Sequence, residues 1–171
     1  MEKLLGVVFL GIGIGGSIYE WLMRHLTRKR RMNMLLDFLR SVRFTMEESN
    51  IFWISFLEEY ISEDALLQDT CREVAKRLKE HTYPKGELAW QTVVKEKEAQ
   101  WDLSPAAMEI LLDLGKGFFG KTRKENLDVI VMHIRLLQEC KEKEHTEFGE
   151  KKKIWIPVGL LGGVMLVIVL I

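Results

Sequence analysis

The stretch at residues 114–125, "LGKGFFGKTRKE", places Gly115, Gly120, Lys121 and Thr122 in the spacing G-x-x-x-x-G-K-[ST]. That pattern holds phosphates only where a strand delivers the glycine loop and a helix follows. Bare N–H groups then wrap the anion while Lys and Thr meet the γ-phosphate and Mg²⁺. What precedes Gly115 therefore decides the fold. The residues "PAAMEILLDL" at 105–114 are rich in Ala, Met, Leu and Glu and set Met108, Leu111, Leu112 and Gly115 on one helix face; a strand would favour Val and Ile. Ser104 followed by Pro105 is a helix start, because Ser caps and Pro at the first position gives up no needed N–H.

On the other side of the glycines, Thr122 and Glu125 form the capping box T-x-x-E, and Leu127, Ile130, Ile134 and Leu137 recur as a heptad-like stripe. Gly115, Gly117 and Gly120 are thus expected to close one helix and turn the chain into the next, with Thr122 a cap rather than a Mg²⁺ ligand. No apolar run ending in Asp lies between Arg24 and Lys153 to supply a second acidic strand end. A membrane-bound nucleotide-binding protein using residues 115–122 stands as the weaker alternative.

Working outward, the rest of the middle is also helical. Leu35, Leu39, Val42 and Met46 repeat at helical spacing. Asn50 offers a cap for "IFWISFLEEYI". Ser62 is expected to cap a segment that places Leu67, Cys71, Val74, Ala75 and Leu78 on one face, until "HTYPKGE" breaks it with Pro84 and Gly86. Leu88, Trp90 and Val94 fit a further helix. Trp53, Trp90 and Trp101 are expected to anchor the core.

The two ends differ in composition from this middle. The chain has 171 residues, no net formal charge, 29% charged and 47% apolar residues, a mixture that excludes disorder. At 4–23 runs "LLGVVFLGIGIGGSIYEWLM", and at 154–171 "IWIPVGLLGGVMLVIVLI", each about 18–20 residues and able to cross roughly 30 Å of hydrocarbon. A cleaved signal peptide is disfavoured: no Ala precedes Ala65, and Arg24, Arg28, Lys29, Arg30 and Arg31 follow the first run, where basic residues resist translocation. Lys151, Lys152 and Lys153 precede the second run. Both basic clusters face the middle, which predicts transmembrane helices at 1–23 and 154–171 and a cytosolic helical bundle at 24–153. In that compartment Cys71 and Cys140 are expected as free thiols. Gly11 with Gly15, and Gly159 with Gly163, make G-x-x-x-G pairs suited to close packing of membrane helices.

Little catalytic chemistry is in view. His25, His81, His133 and His145 show no metal-ligand spacing and read as solvated or interfacial, with His133 on the polar side of its helix. The pairs Glu47-Glu48 and Glu58-Glu59 point about 100° apart on a helix and cannot flank one bond. No cofactor is expected. The basic clusters are juxtamembrane, so anionic lipid headgroups account for them and nucleic acid is not an expected partner.

Several of these features together resemble one family. An apolar start with glycines and then basic residues, the stripe "MLLDFLRSV", a downstream "LAW", "LLDLGKGFFG" leading into a long polar helix, and a closing "LLGGVMLVIVLI" are similar to the stage III sporulation protein AB family of endospore-forming Firmicutes. The resemblance implies a cytosolic domain like that of the type II secretion platform protein F. It further implies a non-enzymatic scaffold in the mother-cell membrane, spanning it twice with the central domain cytosolic. The scaffold would belong to the channel complex between mother cell and forespore and would couple a cytosolic motor ATPase to channel membrane proteins. A homo-oligomer remains open.

Overall fold

The computed structural model describes the backbone of residues 2–48, 53–119 and 122–170, and the side chains of these except 2–12, 14, 53, 155–156, 160, 163–164 and 166–170. Among the described residues there are eight helices and no strand: α1 (Glu2–Glu48), α2 (Trp53–Glu59), α3 (Ala65–Lys79), α4 (Gly86–Glu96), α5 (Glu98–Trp101), α6 (Pro105–Asp113), α7 (Gly115–Phe118) and α8 (Arg123–Leu170). The chain is all-α. It divides into two compact units, Arg28–Lys141 and the pair of segments Met1–Thr27 and Glu142–Ile171.

In the first unit, the helical body, Met32, Leu35, Leu39, Val42 and Met46 of α1 alternate in steps of three and four and are all buried. Phe38 lies off that seam and is buried too, because it is the centre of an aromatic cluster. Its ring lies parallel to that of Trp90 at 6.3 Å and edge-on to Tyr60 at 4.9 Å and Phe118 at 5.9 Å. Such pairs add about 0.5–1.5 kcal/mol each beyond burial. Trp90 and Trp101 are core residues as expected; the side chain of Trp53 lies outside the described ones.

Local signals place most helix ends, with corrections. Ser104 Oγ accepts from Ala107 N at 3.3 Å and Pro105 opens α6. The expected cap at Ser62 is displaced: Asp64 caps α3, accepting from Leu66 N at 2.8 Å and Leu67 N at 3.2 Å, and Ser62 Oγ instead accepts from Asp64 N. A carboxylate at this end also answers the positive pole of the helix. Asn50 lies outside the described residues. In α4, Leu88 is 41% exposed, and Ala89, Trp90, Val93 and Val94 are the buried set.

The start of α8 is capped by Thr122, whose Oγ1 accepts from Glu125 N at 3.2 Å. Its buried seam is Asn126, Ile130, His133, Leu137 and Cys140, again in alternating steps of four and three, with Leu127 and Ile134 half-covered on its flank. Arg123 Nη2 donates to Glu47 O at 2.6 Å, tying this start to the end of α1.

In the second unit, Ile18 Cδ1 lies 3.9 Å from the Cβ position of Gly159. Trp21 and His25 both stack on Phe148, at 4.5 Å and 3.5 Å between ring centroids. Since partners on α8 fall from 159 to 148 as α1 rises from 18 to 25, the two segments run antiparallel. Pro157 sits inside α8 without ending it. Much of the two apolar runs falls on residues whose side chains are not described. Among the described residues no helix is long and apolar enough to cross a membrane.

Candidate functional site

The glycine segment that resembles a phosphate loop is a structural joint. Residues 115–118 form the single turn α7, directly after helix α6 and with no strand before it. A Cβ on Gly115 would stand 3.1 Å from Trp90 Cδ1 and 3.2 Å from Glu87 O, and one on Gly117 3.1 Å from Val129 Cγ1. Both glycines are buried, and no described glycine has a positive φ. They are therefore required by close approach of α4 and α8, not by left-handed backbone.

Trp90 Nε1 donates to Leu111 O at 2.7 Å and so binds α4 to the end of α6. Lys116 pairs with Asp113, whose carboxylate raises the Lys116 ammonium above its ordinary range. Among the described residues of this segment, buried Gly115 and Gly117 offer no open backbone cradle for a phosphate. Gly120 and Lys121 lie outside the described residues.

The basic cluster after the first apolar run divides into two groups. Arg28 donates to Asp102 O and Asp102 Oδ1, both at 3.1 Å. Arg31 donates to the carbonyls of Gln100 and Trp101 and lies 3.7 Å from Asp64 Oδ2. These carbonyls end α5, and Asp102 follows in the left-handed region at φ 44. A guanidinium there satisfies carbonyls that the helix leaves open and meets the negative pole of its dipole. Because Asp64 caps α3, Arg31 joins the end of one helix to the start of another.

Arg30 lies 3.9 Å from Glu63 and Arg24 2.7 Å from Glu20, both pairs exposed, and Lys29 is exposed. Lys151 lies 4.0 Å from Glu147, and Lys152 and Lys153 are exposed. Sequence reasoning missed Asp64 and Asp102, since their partners are far away in the chain.

Of the glycines in the two G-x-x-x-G pairs, Gly159 meets Ile18, and no described atom lies within 4 Å of a Cβ on Gly15. The surroundings of Gly11 and Gly163 lie outside the described side chains.

His133 is not on the solvated side of α8. It is 1% exposed, with Nδ1 2.7 Å from Val129 O and Nε2 3.5 Å from Asp113 Oδ2. Neither Cys71 nor Cys140 is in a disulfide, and burial pushes the Cys71 thiol up to about 12. No group of three His, Cys, Asp or Glu among the described residues could hold a metal ion. The site is thus a packed joint between helices.

Comparison with known proteins agrees with this architecture. The family model described as stage III sporulation protein AB matches residues 3–171. The chain belongs to the stage III sporulation protein AB family. A solved structure titled stage III sporulation protein AB has the same fold, with TM-score 0.62 at 13% identity, covering 72% of this chain and 97% of that one. No curated protein sequence matches. Within the stage III sporulation protein AB family frame, the glycine joint falls between α6 and α8, where it fixes the packing of three helices.

Proposed function

We propose that this member of the stage III sporulation protein AB family is a non-enzymatic, membrane-held assembly component. In this reading it serves the channel complex between mother cell and forespore, with the body in the cytosol meeting a motor ATPase and both ends held in the mother-cell membrane beside channel proteins. The carrying observation is the apolar exposure of the second unit. Tyr19 and Leu26 on α1 are 64% and 50% exposed, and Ile154, Val158, Leu161 and Met165 on α8 are 56–73% exposed.

Apolar surface facing water is unfavourable by about 25 cal/mol per Å². Lipid tails or the membrane helices of partners would cover it. Arg24, Lys29, Lys152 and Lys153 lie where they can meet anionic headgroups, at about 1 kcal/mol per residue, and favour a cytosolic body. Holding the body at the membrane keeps its surface at high effective concentration for a partner assembled there. Burial of Gly115 and Gly117, which face Trp90 and Val129, weighs against a nucleotide-dependent reading of the glycine segment.

The test is to isolate the tagged full chain from sporulating cells. It should sediment with membranes, resist alkaline extraction, and in mild detergent bring down an ATPase together with other membrane proteins. Recovery in the soluble fraction, or isolation without either class of partner, contradicts the reading.

A further inference from the structure

We propose that the outer face of α8 within the body is a self-association surface, on which a second copy of this chain docks antiparallel about a two-fold axis. At about 100° per residue, Lys124, Asp128, Val131, Met132, Arg135 and Glu139 fall within about 50° of one line along the helix. This line is opposite the buried seam of Ile130, His133 and Leu137. All six residues are exposed, Val131 by 40% and Met132 by 46%. Leu136, 37% exposed, and half-buried Leu127 border them. An apolar centre on an otherwise solvated helix face is the pattern of a contact surface.

The order of charges selects a second copy as the occupant. Along the line the residues read positive, negative, apolar, apolar, positive, negative. An axis passing between Val131 and Met132 sets Asp128 opposite the partner's Arg135 and Lys124 opposite the partner's Glu139, each pair occurring twice. The same axis lays Val131 against the partner's Met132. The face is therefore complementary to itself when reversed, as an isologous interface requires.

A second observation concerns the charges themselves. None of Lys124, Asp128, Arg135 and Glu139 makes an ion pair or side-chain hydrogen bond among the described residues. On α1, by contrast, Arg40 pairs with Asp37 and Arg43 with Glu47. Among the described residues, then, nothing competes with a partner across the axis for the four charges. The contact runs about 24 Å along each helix and is smaller than a standard interface, so the dimer is weak and depends on concentration.

The test is sedimentation equilibrium of the full chain in density-matched detergent, with far-UV circular dichroism of each variant to check the helix content. The wild-type chain should show a reversible monomer–dimer equilibrium. Asp128→Arg sets arginine against arginine twice and should raise the dissociation constant about tenfold. The exchange Asp128→Arg with Arg135→Asp restores opposite charges and should bring it back to within about threefold of wild type. A variant that merely misfolds would not be rescued by a second reversal. A chain that stays monomeric at every concentration overturns the proposal and assigns the face to a different occupant. A dimer indifferent to Asp128→Arg, or one that the exchange fails to restore, overturns it equally.

Discussion

Replacing Arg31 by alanine would uncap the end of α5 and strip Asp64 of its cation in one step. Hydrogen bonds to charged groups contribute about 1.5–3 kcal/mol, and this pair is largely shielded, with side chains 20% and 14% exposed. We expect Arg31→Ala to lower the urea-unfolding free energy of the body by about 2–3 kcal/mol. Arg31→Lys should recover only part of it, because a single ammonium cannot reach two carbonyls and a carboxylate together. Gly115→Ala is a separate case: its Cβ would press on Trp90 and on the Glu87 carbonyl. Overpacking of this kind costs about 1–3 kcal/mol, read as a fall in Tm with the helical signal retained.

At the same scale Cys71 has a pH signature. Its thiol moves from 9.0 to about 12, mainly through desolvation, and the Tyr60 hydroxyl from 10.0 to about 12, also mainly through burial. In the folded state both keep protons that the unfolded chain has lost, so stability is complete below about pH 9 and falls as pH rises toward 12. Denaturant midpoints across that window should drop. Cys71 should react with a thiol reagent at pH 8 only at the rate of unfolding.

Helix α8 shows how an element can be legible in kind and illegible in register. Its existence followed from the cap at Thr122 and the apolar recurrence, but the seam runs through Asn126, His133 and Cys140, which an apolar template does not count. Ile130 and Leu137 belong to both readings, so the stripe was found one flank away from its centre. Similar reasoning covers α3, where Ser62 and Asp64 are both good caps locally and the distant Arg31 adds to the helix dipole in favouring the carboxylate. The glycines of α7 were visible, yet their cause lies in Trp90 and Val129, and spacing along the chain carries no trace of that approach.

The seam also holds a prediction. Asn126 is 7% exposed and its Oδ1 has no partner among the described residues. A buried polar atom left unsatisfied costs about 1–3 kcal/mol, so Asn126→Leu should leave stability unchanged or raise it, measured as Tm of the full chain. A fall of several degrees would mean that the amide makes a bond the packing does not reveal.

For the whole molecule, the proposed function holds the helical body beside a lipid layer by its apolar helix ends and puts that body on the cytosolic side. The most direct measurement places a single reactive cysteine on the exposed Glu98, in a chain carrying Cys140→Ala, and treats intact cells with a membrane-impermeant maleimide. The account predicts labelling only after the cells are permeabilised. Labelling of Glu98→Cys in intact cells, at the rate seen after permeabilisation, would contradict it.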